Sequence, residues 1–207
     1  MPGFEGIDSV IRGMMRLMLD APLNRCWWPS NDLAIAYHDQ EWGVPIFDDN
    51  LLFEMLTLEG AQAGLSWDTV LKKREGYREA FGGFDPQIVA DFGSDDVDRL
   101  LQNAGIIRHR GKIASTINNA AKVLEIQSKQ GSFSNYIWAF VDGKPIQNEW
   151  VGSGQIPSYT PLSTLISKDL LKQGFRFVGP TTVYAFMQAA GLVNDHTTDC
   201  FRWMELR

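Results

Sequence analysis

The chain has 207 residues, 44% hydrophobic and 21% charged, which supplies enough apolar material for one core or a tightly coupled pair and excludes wholesale disorder. Nineteen Lys plus Arg against 25 Asp plus Glu give a net charge of -6, so any contact with nucleic acid has to be local. Two cysteines exclude a disulfide-rich scaffold, Glu5 and Asp8 stand where a signal peptide needs a basic start, and no stretch approaches the roughly 20 apolar residues of a membrane span; a soluble, reducing, cytoplasmic setting with no membrane partner is expected.

In chain order the periodicity is helical nearly throughout. Ile7, Val10, Ile11, Met14 and Met18 share one face of a short segment ahead of Pro22, so residues 1–24 read as an N-terminal extension docking on the body as a short helix. Asp49 is expected to cap a helix in which Leu52, Met55, Leu56, Glu59 and Ala63 recur, ending near Gly64. Ser66 opens SWDTVLKKREGYREAF, Asp85 and Pro86 start another helix, and Ser94 caps SDDVDRLLQNAG up to Gly105. Ile113, Ile117, Ala120, Ala121 and Leu124 stripe a longer helix that stops by Gly131, and SNYIWAFVDG makes a shorter one. The Pro-, Gly- and Ser-rich stretch 144–160 reads as a surface loop before a final helical pair. PIFDD and the region around Val151 are the only strand candidates and neither has a partner, so the fold class is all-α.

Three constellations carry chemistry. Cys26 and His38 near the start, with His196 and Cys200 near the end, use both cysteines and two of the three histidines. Two thiolates and two imidazoles suit a tetrahedral zinc with no open position, hence a structural one clamping the two ends. The spacing alone equally allows two buried thiols and two ordinary histidines.

Glu59 interrupts the apolar stripe of its own helix. An ionised group there either pairs within the core or is held in a pocket for a ligand. Gln62 lies on the same face, Trp67 follows, and Tyr37, Trp42 and the Trp27–Trp28 pair precede, a composition that suits a socket for a flat cationic ring as well as plain packing.

In LLKQGFRFVGPTTVYAF, one helix ends at Gly174 and Pro180 restarts another after the FRFVG turn. Gly179 permits close backbone approach, and the next helix start offers free N–H groups to a phosphate. Lys168, Lys172 and Arg176, with Arg108, His109, Arg110 and Lys112 elsewhere, supply local positive charge.

At these residues the chain resembles the 3-methyladenine DNA glycosylase I family from about Arg25 to Cys200, through AYHDQEWGVP, LFEMLTLEGAQAGLSW, VLKKREGYREAF, AGIIRHRGKI and GFRFVGPTTVYAFMQAAGLVNDH. The resemblance implies a helix-hairpin-helix glycosylase domain over residues 25–207, with the hairpin at about 163–191, and zinc on Cys26, His38, His196 and Cys200. It implies that Glu59, Tyr37 and Trp67 receive a methylated adenine extruded from alkylated double-stranded DNA, with Trp28, Trp42 and Gln62 around it. Lys172, Arg176, Phe177, Gly179 and Thr181 are then the candidates for the DNA backbone, and free 3-methyladenine is the product of a monomeric, monofunctional hydrolase. Asp195 and Asp199 are the nearest acids beyond the hairpin and receive no role. Ala34 stands where the family is commonly aromatic. The rival readings are a zinc-stapled DNA-binding module without catalysis and a zinc hydrolase with three protein ligands and a metal-bound water.

Overall fold

The computed structural model describes residues 23–207, and the helix expected within residues 1–24 lies outside them apart from the last two positions. Eleven α-helices are described: α1 (Asp32–Gln40), α2 (Asp49–Gln62), α3 (Trp67–Leu71), α4 (Arg74–Ala80), α5 (Pro86–Ala90), α6 (Ser94–Gln102), α7 (Arg110–Gln130), α8 (Phe133–Trp138), α9 (Pro161–Lys172), α10 (Pro180–Ala189) and α11 (Phe201–Glu205). Every residue of α2 from Leu52 to Ala61 is buried, the polar Glu54, Thr57 and Glu59 included, and α7, α8 and α10 pack around it.

Several helix starts follow the local grammar. Ser66 accepts from the Thr69 N–H, Asp85 precedes Pro86 and accepts from the Gln87 N–H, and Thr160 with Ser163 closes a capping box on α9. Others differ from the sequence reading. Asp48, not Asp49, caps α2; Asp49 instead accepts from the Phe133 and Ser134 N–H groups at 2.9 and 2.7 Å and so caps α8 from across the core. Gly93, not Ser94, is the α6 cap, with its N–H donated to Asp96, and α6 ends at Gln102 ahead of Gly105. SWDTVLKKREGYREAF breaks at Lys72–Lys73 into α3 and α4.

The all-α expectation needs one amendment. Two short strands, β1 (Ile146–Gln147) and β2 (Val193–Asn194), pair in parallel, and a bridge between Trp150 and Thr197 extends the register. PIFDD forms no strand. The 144–160 segment is therefore stitched to the chain's C-terminal part instead of being a free surface loop, which places its Ile156–Pro157–Ser158 stretch beside α10.

Candidate active site

The buried helix α2 carries two acids with opposite fates. The Glu54 carboxylate accepts from Arg74 Nε at 2.5 Å and from Arg78 Nε at 3.1 Å, so its burial is compensated. Glu59, one turn further on and 6% exposed, faces a cavity of about 340 Å³. No basic group or hydrogen bond among the described residues supports it, and burial alone pushes its carboxyl up to about 8. Burial therefore favours the protonated acid near neutrality.

Around it stand Trp27, Trp28, Tyr37, Trp42, Gln62 and Trp67 from the first third of the chain. Tyr37 and Trp67 lie 5.3 Å apart between centroids, and Trp28 meets Trp42 edge-on at 5.3 Å. Trp28 Nε1, the Tyr37 hydroxyl and Trp67 Nε1 are buried without a partner among the described residues. Burial, then the Glu59 charge, drives the Tyr37 hydroxyl well above its usual range, so it remains an O–H donor. Buried polar groups are nearly always paired, and an unpaired set converging on one cavity marks where a ligand completes the pairing. All six residues that the sequence pointed to, Glu59, Tyr37, Trp67, Trp28, Trp42 and Gln62, line this one cavity. Ala34 is buried elsewhere, so the departure at that position does not open the cavity wall.

The far wall consists of Thr181, Tyr184, Ala185 and Gln188 on α10 with Ile156, Pro157 and Ser158. The sequence reading named only Thr181, and as a backbone contact. The i, i+3, i+4, i+7 spacing of 181, 184, 185 and 188 was the available signal.

Behind the aromatics, Cys26, His38, His196 and Cys200 bring their ligand atoms within 4.8 Å of one another, all buried. Cys200 Sγ lies 3.5 Å from both His38 Nε2 and His196 Nδ1, and Cys26 Sγ is 3.5 Å from His196 Nδ1. The outer nitrogens are committed elsewhere: His38 Nδ1 donates to Asp39 at 2.7 Å and His196 Nε2 to the Trp42 carbonyl at 3.0 Å. Those acceptors hold both protons outside and leave two nitrogen lone pairs aimed inward, as in histidines whose outer N–H is anchored so that the other nitrogen can bind a metal. Four donors could hold a metal and leave no open coordination position, which removes the support for a three-ligand hydrolase. Trp28 stacks edge-on against His38 at 5.4 Å and Trp42 against His196 at 4.6 Å, so the cluster and the cavity share a wall.

α9, the Gly174–Gly179 turn and α10 follow one another as a helical hairpin. Asn119 braces the turn in both directions, donating to the Arg176 carbonyl at 2.9 Å and accepting from the Arg176 N–H at 2.8 Å. Phe177 adopts φ +57, a left-handed conformation that a bulky residue takes only under constraint. A Cβ at Gly179 would meet nothing within 4 Å, and α10 starts there without a side-chain cap, leaving its first N–H groups exposed to an outside acceptor. Lys172, Arg176, Phe177 and Thr181 are exposed around it. Lys112 does not join this surface: its Nζ is tied down on the Ala61 and Ala63 carbonyls, both at 2.7 Å, closing the C-terminal end of α2. Arg110 pairs with Asp98.

A family model described as methyladenine glycosylase matches residues 27–203. The chain belongs to the methyladenine glycosylase family. It is 53% identical over 179 residues to DNA-3-methyladenine glycosylase 1 of Escherichia coli (strain K12), covering 86% of this chain and 96% of that one. Identity to DNA-3-methyladenine glycosylase of Haemophilus influenzae is 50% over 177 residues, covering 85% and 96%. A structure of 3-methyladenine DNA glycosylase I from Staphylococcus aureus, solved for the basis of 3-methyladenine recognition, superposes with a TM-score of 0.84 at 40% identity, over 86% of this chain and 96% of that one. In this methyladenine glycosylase the two acids that follow the hairpin, Asp195 and Asp199, stand apart from the Glu59 cavity. Asp195 is 1% exposed with both oxygens engaged, and Asp199, held by Asn24, does not line the cavity.

Proposed function

We propose that the chain hydrolyses the N-glycosidic bond of 3-methyladenine in alkylated duplex DNA, releasing the free base and leaving an abasic site. The carrying observation is Glu59, a buried acid with no cation of its own in a cavity walled by aromatic rings. Methylation at the ring nitrogen makes the purine cationic and already a good leaving group. When the glycosidic bond breaks, its electron pair neutralises the ring, water oxygen bonds to the sugar C1′, and the water proton leaves to solvent. The protein's task is to bind and desolvate the cation. A positive ring favours ionised Glu59, so entry of the base displaces the Glu59 proton, whereas a neutral base would have to face a neutral carboxyl. Trp67 stacks on the ring, Tyr37 hydrogen-bonds to it, and Trp28, Trp42 and Gln62 border it. Extrusion of the nucleotide costs a few kcal/mol, least for a damaged base. The hairpin residues Arg176, Phe177, Gly179 and Thr181, with Lys172, hold the DNA backbone through local charge and the open start of α10.

The cluster of Cys26, His38, His196 and Cys200 is read as a structural zinc site. In a tetrahedral centre with Zn–S near 2.3 Å and Zn–N near 2.0–2.1 Å, sulfur and nitrogen lie roughly 3.5 Å apart, which matches the three separations of 3.5 Å. The ion braces the wall formed by Trp28 and Trp42. Residues 25–207 form the glycosylase domain and 1–24 an extension. The described cavity is complete within one chain, which supports action as a monomer, and the two free buried thiols suit a reducing cytoplasm. No helix among the described residues is long and apolar enough to cross a membrane.

The test incubates purified protein with methylated duplex DNA and identifies the released bases. Release of 3-methyladenine, reduced about a hundredfold in Glu59→Gln with fold and metal content intact, is expected. A wild-type protein that binds methylated DNA but liberates no base refutes the assignment.

A further inference from the structure

Asp195 follows β2, immediately before the metal-cluster residue His196, and is buried without a basic partner among the described residues. Its carboxylate accepts four hydrogen bonds, all from neutral donors. Oδ1 takes Asn148 Nδ2 at 2.6 Å and Trp150 Nε1 at 2.8 Å. Oδ2 takes the Tyr184 hydroxyl at 2.5 Å and Gln188 Nε2 at 2.7 Å. Only a carboxylate offers four acceptor positions and no donor.

The four donors come from two places. Tyr184 and Gln188 belong to the cavity's far wall, and Asn148 and Trp150 belong to the segment whose Ile156–Ser158 stretch completes that wall. The Tyr184 hydroxyl has one proton, and Asp195 holds it. Towards anything else Tyr184 can therefore only accept. The Gln188 amide is likewise fixed in orientation by the donor it commits.

We propose that Asp195 is a positioning residue for base recognition: by fixing the Tyr184 hydroxyl and the Gln188 amide it turns lone pairs of the far wall to face a cationic base opposite Glu59. The proposal rests on the glycosylase reading above and adds a second negative pole to its cavity. A wall that presents acceptors favours a positively charged ring over a neutral one, and a preset orientation costs no reorganisation when the base arrives. An Asn at 195 would bring an NH₂ group against these donors. The Trp150 indole N–H cannot reverse, but the Tyr184 hydroxyl and the Gln188 amide can, so the wall's polarity would invert while the packing stays.

The experiment compares wild type, Asp195→Asn, Tyr184→Phe and the double variant. It measures zinc content, thermal stability, affinity for free 3-methyladenine by tryptophan fluorescence at a pH low enough to keep the free base protonated and so cationic, and KM and kcat for excision from methylated duplex DNA. Expected are a fall of about tenfold in base affinity and a matching rise in KM for each single variant, with zinc content unchanged and kcat within about threefold. The double variant should fall short of the sum of the two single losses, because Asp195 acts in part through Tyr184. Additive losses, unchanged base affinity in either single variant, or affinity that falls only together with zinc content would each overturn it. If Asp195→Asn does not fold, Tyr184→Phe and Gln188→Ala decide, since unaltered base affinity in both removes the residues through which Asp195 acts. Wild-type protein that neither releases nor binds 3-methyladenine would overturn the glycosylase reading and this proposal together, whereas an active wild type with unaffected variants overturns this proposal alone.

Discussion

Glu59→Gln separates the electrostatic argument from any question of substrate. An ordinary glutamate titrates near 4.5, and burial raises Glu59 to about 8. The folded state thus holds this proton more tightly than the unfolded chain, so the stability linked to it is whole below 4.5 and is lost progressively as pH rises to about 8. At about 1.4 kcal/mol per pH unit, the ceiling on that loss is on the order of 4–5 kcal/mol. The effective dielectric of a real protein interior, higher than that of a dry one, brings the expected figure to about 2 kcal/mol. Glutamine carries no proton to lose. Urea unfolding followed by tryptophan fluorescence at about pH 5, 7 and 9 should therefore show the variant equal to wild type at the lowest pH and more stable by about 2 kcal/mol at the highest. Every other titrating group is common to both proteins, the metal cluster included, so the difference isolates this one side chain. A stability difference that does not vary with pH would mean that the acid is solvated or paired, and the cavity's preference for a cation would lose its basis.

Trp67→Ala should weaken binding of free 3-methyladenine by about ten- to a hundredfold in a fluorescence titration, the usual worth of stacking one base, and an unchanged affinity would reduce Trp67 to packing. Cys200→Ala should take the metal content, read by elemental analysis, from about one zinc per chain to near zero and lower the melting temperature; retention of zinc would disprove the four-donor assignment. Arg176→Ala should reduce the slope of log affinity against log salt on undamaged duplex by about one while leaving free-base affinity alone, and an unaltered slope would remove Arg176 from the phosphate contacts.

The near side of the site was legible because it is local. Glu59 and Gln62 share a helix face, Trp67 follows within one turn of chain, and each polar exception to an apolar stripe is visible in a single sequence. The cysteine and histidine set was legible by elimination, since few residues of those types exist. Asp48 and Asp49 show where that approach stops: either can cap α2, and the choice is made by Phe133 and Ser134, more than 80 residues away. The strand pair is two residues deep on each side, too short for any alternation to register. Lys112 read as surface charge because a run of basic residues carries no mark of the one that turns inward to the end of α2. The far wall has the same character, being completed by a segment whose place depends on parallel pairing with a strand nearly fifty residues later.

These omissions share a cause with the function. A cavity that keeps an unpaired acid and three unpaired donors out of water destabilises its own fold, because each such group lacks the partner that burial normally requires. The offset has to come from elsewhere, and the chain concentrates it directly behind the two walls. His38 and His196 lie under Trp28 and Trp42 on one side. On the other, Asp195 gathers donors from α10 and the 144–160 segment. His196 and Asp195 are adjacent, so a single short stretch after β2 anchors both walls at once. Contacts between residues 162 to 171 apart in sequence close some of the longest loops among the described residues. Some of the most sequence-distant contacts among the described residues are therefore found next to its least satisfied groups, which is where a site that must stay open and dry for a charged purine needs the surrounding structure to be fixed.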